Sequence, residues 1–184
     1  MDEQRLIDRA KSGDTAAFQT LVEMYLPIVE RFAYQIGSPP AHIEDITQEV
    51  FLRVYRFFDK YTSGKFTTWL YQITLNVLRD FMRKDKRNRD RTEKLAQERQ
   101  PDSEPVEHRL LARDEHRRLH RLITELDEKY RVPLVLFYFH EKKYEEIADI
   151  MSTPLSTVKT RISRARGQLK KALENDEGGE RYVR

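Results

Sequence analysis

The stretch that decides the reading runs Tyr144-Glu-Glu-Ile-Ala-Asp-Ile-Met151, Ser152-Thr-Pro154, Leu155-Ser-Thr-Val-Lys-Thr-Arg-Ile-Ser-Arg-Ala-Arg166. Ile147, Ala148 and Met151 fall on one side of a first helix. Val158, Ile162, Ala165 and Leu169 fall on one side of a second, spaced three and four apart. Ala148 is small enough to let the two helices cross closely, and Pro154 suits a turn that sets the second helix going. This is the layout of a helix-turn-helix. The opposite face of the second helix carries Ser156, Thr157, Lys159, Thr160, Arg161, Ser163 and Arg164. Hydroxyls and a helix N-terminus suit phosphate contacts, while lysine and arginine can add bonds to base edges in a major groove. From Leu155 to Leu173 the basic residues are Lys159, Arg161, Arg164, Arg166, Lys170 and Lys171, with no acidic one. A plain helical hairpin with a solvated basic face is the bland alternative. A basic, acid-free second helix behind so short a turn weakens it.

Upstream, a dense apolar run from Val132 to Phe139, containing Pro133, follows a stripe of Leu110, Leu111, Leu119, Leu122, Ile123 and Leu126. From Asp85 to about Glu107 the periodicity disappears, with only Leu95, Ala96 and Val106 among charges and two prolines, Pro101 and Pro105. That composition reads as a flexible linker. Before it lie three more stripes. Asp14 reads as an N-cap before Phe18, Leu21, Val22, Tyr25, Ile28, Val29 and Phe32, with Pro27 breaking or kinking the helix midway. After Pro39-Pro40 come Ile43, Ile46, Val50, Phe51, Val54 and Phe58, then a polar loop from Asp59 to Lys65, then Phe66, Trp69, Leu70, Ile73, Val77 and Phe81. Glycine is absent between Gly64 and Gly167 and no strand pattern stands out. The expectation is an all-α chain of two small helical domains, residues 1–85 and 109–175, joined by a linker over 86–108 and ending in a tail over 176–184, the helix-turn-helix lying in the second domain.

The 184 residues are 39% hydrophobic and 35% charged, and no stretch approaches the roughly 18 apolar residues that spanning a bilayer requires. The amphipathic start Met1-Asp2-Glu3-Gln4-Arg5 has no apolar run or cleavage site of a secretory leader. No membrane insertion and a cytoplasmic location are expected. The absence of cysteine excludes disulfides, thiolate metal sites and a cysteine nucleophile. The net charge of +3 hides an uneven distribution: residues 83–91 carry six basic and two acidic side chains, so the first domain ends in positive charge. Two separated basic helices suit a polyanionic partner.

Catalysis is not expected. There is no glycine-rich phosphate loop, no Gly-x-Ser-x-Gly elbow and no carboxylate pair on an apolar face. His116 and His120 are four apart with Asp114 and Glu115 nearby, but lack a third ligand at suitable spacing, so no metal and no cofactor is assigned.

Together these residues resemble the extracytoplasmic-function sigma factors, the minimal two-domain specificity subunits of bacterial RNA polymerase. Glu146-Ile-Ala148, Thr157-Val-Lys-Thr-Arg161 and Arg164-Ala-Arg166 are similar to the family's region four. Gly13-Asp14 with Ala17-Phe18, Glu44-Asp45-Ile-Thr-Gln48-Glu49-Val-Phe51, and Phe66-Thr-Thr-Trp69-Leu70 with Asn76 and Asp80 are similar to region two. The resemblance spans nearly the whole chain. One departure is Leu155-Ser156, where the family commonly has a glycine before Thr-Val-Lys.

The resemblance implies a sigma factor that directs core polymerase to promoters and helps melt the minus-ten element, under anti-sigma control, with core RNA polymerase, promoter DNA and an anti-sigma factor as partners. It implies that Asp45, Gln48, Glu49, Leu52 and Arg53 dock on the polymerase clamp helices, Leu52 as the apolar anchor. Minus-ten contacts are expected from Tyr61, Lys65, Gln72, Asn76, Arg79, Arg83 and Lys84, with Lys86 and Arg87 on phosphates, and minus-thirty-five contacts from Ser156, Thr157, Lys159, Thr160, Arg161 and Arg164. The loop from Asp59 to Lys65, with Tyr61 and Gly64, is suited to receive an unstacked base. The alternative is a stand-alone helix-turn-helix regulator whose first domain is a sensor.

Overall fold

A computed structural model describes residues 3–62, 64–93 and 114–180 of the chain, with side chains for 3–62, 64–85 and 116–175. The elements are α1 (Glu3–Lys11), α2 (Thr15–Gln35), α3 (Pro40–Arg56), a single 3-10 turn (Phe58–Lys60), α4 (Phe66–Glu93), α5 (Asp114–Glu125), α6 (Glu128–Tyr138), α7 (Tyr144–Met151) and α8 (Leu155–Glu180). No strand occurs among the described residues. The architecture is all-α. The chain divides into two compact units, Met1–Tyr34 with Ser38–Pro105, and Val106–Arg184 with Gln35–Gly37.

In the first unit the three-four stripes become one core. Leu21, Val29, Phe32, Ile46, Val50, Val54, Leu70, Leu75 and Leu78 are each at most 2% exposed. Burying a side chain of this size stabilises by about 1.5–3 kcal/mol. Asp14 caps α2, its Oδ1 accepting from the Ala17 amide at 3.0 Å. That bond, reinforced by the Arg9 guanidinium, holds the Asp14 carboxyl below the usual carboxylate range. Pro27 does not break α2, which is continuous from Thr15 to Gln35. Tyr25 and Val29 on either side of it are both buried and tie the two halves to one core, outweighing the proline's lost amide.

Two expectations about element ends change. α4 continues to Glu93, eight residues past the expected domain end at 85. Lysine, arginine and glutamate are strong helix formers, so the end of apolar periodicity is not the end of the helix. α8 likewise runs to Glu180, into the segment read as tail, although Gly178 and Gly179 are weak helix formers. Residues 94–108 of the expected linker, and Leu110 and Leu111, lie outside the described residues.

In the second unit α6 supplies the centre, with Val132, Leu134, Val135 and Leu136 at most 2% exposed, packed by Ile147, Ile150, Val158, Ile162 and Ala165. Ile150 takes the inward place expected of Ala148, which is only half buried. The Glu146 carboxylate accepts from the Lys143 amide at 2.9 Å, fixing the start of α7. Ser152 ends it in the left-handed region at φ 49°. The Thr153 amide closes back to the Ala148 carbonyl at 2.9 Å, and the Pro154 carbonyl accepts from Thr157 and Val158 to open α8. A three-residue turn thus joins the two helices.

Candidate polymerase and nucleic-acid interfaces

Leu52 is an exposed aliphatic residue of α3, 49% accessible, with Tyr55 one turn on at 57%. The helix period that buries Ile46, Val50 and Val54 turns Asp45, Gln48, Glu49, Leu52 and Arg53 the other way. All five line one open concavity of about 420 Å³, together with Asp80, Phe81 and Lys84 of α4. Its floor is an ion-pair chain: Arg53 donates through Nε to Glu49 at 2.7 Å and through Nη1 to Asp80 at 2.9 Å. Asp80 also accepts from Arg83 Nη2 at 2.5 Å. The Arg53 bond, followed by that of Arg83, pulls the Asp80 carboxyl below its usual range. Lys84, one of the residues expected at minus-ten DNA, also lines this concavity, its Nζ over the Phe81 ring.

Along α4, Asn76 and Arg83 are exposed and Gln72 and Arg79 half buried, at spacings of four, three and four that keep them on one stripe. Tyr71 and Leu75 beside them are core residues. The side chains of Lys86 and Arg87 lie outside the described ones.

Tyr61 departs from its expected exposure to nucleic acid. It is 7% exposed, its ring edge-on to Phe66 and against Trp69, with its hydroxyl donating to the Gly64 carbonyl at 2.6 Å. The reason is local: the 3-10 turn Phe58–Lys60 replaces part of the expected loop and rolls Tyr61 into a cluster of Phe58, Phe66 and Trp69. Thr62, Gly64 and Lys65 remain exposed. Gly64 sits at φ +92°, where a side chain would strain the backbone.

In the second unit Ser156, Thr157, Thr160, Arg161 and Arg164 line a single concavity of about 380 Å³. Lys159 is exposed on the flank, its Nζ 5.9 Å from the Tyr144 ring centroid. Two residues missed in the sequence, Lys129 and Tyr130 near the start of α6, complete that lining. Their place depends on where α6 crosses α8, which no local pattern records. A separate groove of about 570 Å³ runs between Leu119 and Ile123 of α5, Tyr138 and Phe139 after the core of α6, and Leu169 and Leu173 of α8. Tyr138 and Phe139 are 49% and 40% exposed, although the sequence shows them only as the end of a continuous apolar run.

The family model for Sigma-70 region 2 matches residues 21–88, and that for Sigma-70, region 4 matches residues 116–169. A relative 33% identical over 181 residues, covering 94% of this chain and 97% of its own, is the ECF RNA polymerase sigma factor SigW of Bacillus subtilis (strain 168). The chain belongs to the extracytoplasmic-function sigma factors. The ECF RNA polymerase sigma-E factor of Escherichia coli (strain K12) is 30% identical over 191 residues, covering 90% of this chain and 91% of its own. Among solved structures, CnrH in complex with the cytosolic domain of CnrY matches with a TM-score of 0.72 at 26% identity, over 95% of this sigma factor and 99% of that chain. As a sigma factor the protein directs core polymerase to promoters in transcription initiation, and the stand-alone regulator is not favoured. No helix among the described residues is long and apolar enough to cross a membrane.

Proposed function

We propose that the sigma factor divides its work as its two units suggest. Residues 1–85 dock on core polymerase and read and melt the minus-ten element, residues 86–108 link, and residues 109–175 bind the minus-thirty-five duplex. The observation that carries this reading is the lining of one surface of α8 with Ser156, Thr157, Thr160, Arg161 and Arg164 and no acidic side chain. A helix entering a major groove by its first turns presents such hydroxyls to phosphate and such guanidinium groups to base edges.

Asp45, Gln48, Glu49, Leu52 and Arg53 would meet the polymerase clamp helices. The arrangement of one exposed leucine within a polar rim is that of a small interface centre. Lys65, Gln72, Asn76, Arg79, Arg83 and Lys84 would meet minus-ten DNA, with Tyr61 shaping the turn from beneath. Melting is a binding equilibrium in which an extruded base and a captured single strand offset a few kcal/mol of unstacking, so neither catalysis nor a cofactor is needed. The protein would act in the cytoplasm, where its polymerase is.

Control by an anti-sigma factor belongs to the same reading. It is supported by the similar CnrH, whose structure was determined in complex with the cytosolic domain of another protein. Transcription in vitro with purified core polymerase tests the whole proposal. Promoter-dependent transcripts appear only when the sigma factor is added, whereas a regulator would bind duplex DNA unaided and yield no new start site.

A further inference from the structure

Helix α1 lies outside the segment matched by the region 2 model, which begins at residue 21. Nothing in the reading above gives it a task. It is nevertheless firmly seated: Leu6, Ile7 and Ala10 are each at most 5% exposed, and the Glu3 carboxylate accepts a hydrogen bond from the Tyr25 hydroxyl. Its last residue makes the long-range contact. Lys11 Nζ donates to the Tyr61 carbonyl at 2.6 Å, across fifty positions of sequence.

Tyr61 is thereby held at both ends. Its carbonyl is bound by α1, and its hydroxyl donates to the Gly64 carbonyl on the far side of the turn. Its ring is wedged between Phe66 and Trp69, and its burial, with Glu3 and Asp8 of α1 nearby, pushes the phenol above its ordinary range and keeps it a donor. What this bracing leaves to solvent is the turn itself, Thr62, Gly64 and Lys65, leading directly into α4. The Lys65 carbonyl accepts from the Thr68 and Trp69 amides, which ties Lys65 to the first turn of α4.

We propose that Lys11 is a positioning residue for promoter opening. By fixing the backbone at Tyr61 it preorganises the exposed turn as a receptor for an unstacked minus-ten base. The inference rests on the reading of this turn and α4 as the minus-ten surface. Its physical content is entropic. A turn ordered during folding loses no further freedom when a base arrives, whereas an unbraced one must be ordered at the moment of capture. Lysine suits the role because a charged donor on a backbone carbonyl leaves the Tyr61 ring and hydroxyl to their own partners. Arginine should substitute; methionine, of similar length and without a donor, should not.

The test uses full-length sigma factor with core polymerase on a duplex promoter fragment that the wild-type holoenzyme transcribes. Closed-complex formation is followed by gel shift at low temperature, and opening by permanganate reactivity of minus-ten thymines. Binding of the single-stranded non-template minus-ten oligonucleotide to holoenzyme is followed by anisotropy. Lys11→Met is expected to leave the closed complex unchanged and to lower the thermal midpoint by only a few degrees, while lowering opening and oligonucleotide binding about tenfold, the scale of one lost preorganising contact. It should also flatten the preference among bases at the captured position, and Lys11→Arg should restore both. Asn76→Ala and Arg79→Ala on α4 check the underlying reading. If these two reduce opening while Lys11→Met does not, the role of Lys11 is overturned and the minus-ten surface stands. If neither kind of variant affects opening, the surface itself is wrong. Equal loss of closed and open complexes in Lys11→Met would make Lys11 merely structural and also overturn the proposal.

Discussion

Arg53 and Asp80 join α3 to α4 through a 2.9 Å contact between Nη1 and Oδ2, in the floor of the concavity that Leu52 overlooks. The pair is about one-third exposed on the Asp80 side and 27% exposed on the Arg53 side, so solvent screens it. Exposed pairs of this kind couple by about 0.2–1 kcal/mol. A double-mutant cycle of Arg53→Met and Asp80→Asn should therefore give a coupling in that range in thermal or urea unfolding, shrinking in high salt. The pH dependence follows from the depressed folded pKa of Asp80. Its stabilisation is present above the unfolded value of about 3.9 and is lost as pH falls through the lower folded value. The stability gap between wild type and Asp80→Asn should be flat from neutral pH to about pH 5 and close below about pH 4. A gap that persisted undiminished at lower pH would show that packing, not charge, separates the two proteins.

Substituting the exposed face of α3 should separate docking from folding. Asp45→Ala, Gln48→Ala and Leu52→Ala each remove a side chain that points away from the core. Helix content and thermal midpoint should stay within error, while affinity for core polymerase, measured by competition against a second sigma factor, falls by about 1–3 kcal/mol at whichever positions are central. Unchanged competition by all three would return this surface to an ordinary solvated face.

Base reading and phosphate holding should divide along α8. Arg161 lines the concavity one turn inside the helix, and Arg161→Ala should cost about 1–3 kcal/mol on the preferred minus-thirty-five duplex and flatten discrimination among single-base variants. Lys171 is exposed two to three turns further on, and Lys170 lies 3.8 Å from Glu174 beside the apolar groove. Neutralising either should weaken all duplexes alike and reduce the salt slope by roughly 0.9 for a lost phosphate contact, or by nothing if it faces only solvent. Titration of a promoter panel at two salt concentrations distinguishes the cases. Equal weakening of every duplex by Arg161→Ala would make Arg161 a phosphate contact.

The segment from residue 112 to 175 should fold by itself, because Val135, Leu136, Ile147, Val158 and Ala165 are closed off by one another with none more than 0% exposed. Its thermal unfolding should be cooperative. Ile147→Ala in that segment should cost about 2–5 kcal/mol, the range for a fully buried aliphatic truncation, and abolish minus-thirty-five binding with the fold. A non-cooperative melt of the unsubstituted segment would place the domain boundary elsewhere.

The sequence carried the local features well. Asp14 as a cap and Leu52 as an outward leucine follow from helix period and capping chemistry alone, and both occur. Four features were illegible for definite reasons. A proline in mid-helix signals a lost amide, but only the core on either side of Pro27 shows that the helix survives it. Tyr61 sits in a polar, aperiodic stretch, so nothing local announces that Phe66 and Trp69 enclose it. Lys129 and Tyr130 reach the α8 surface only through a crossing of helices, and Tyr138 and Phe139 end a continuous apolar run that does not say which members are covered. What pattern reading lost in each case was tertiary placement.

The aromatic cluster around the braced turn has an optical consequence. Trp69 is the one tryptophan among the 184 residues, and its indole stacks on Phe58 at 6.0 Å between centroids with Tyr61 5.4 Å away. Every photon of indole emission from this chain therefore originates beside the turn next to α4, with a tyrosine at hand as energy donor. The unlabelled protein is its own fluorometer: with the indole excited selectively at the red edge of its absorption, where the nine tyrosines do not absorb, displacement of Tyr61 or the arrival of a base against the turn should register as a change in intensity or wavelength.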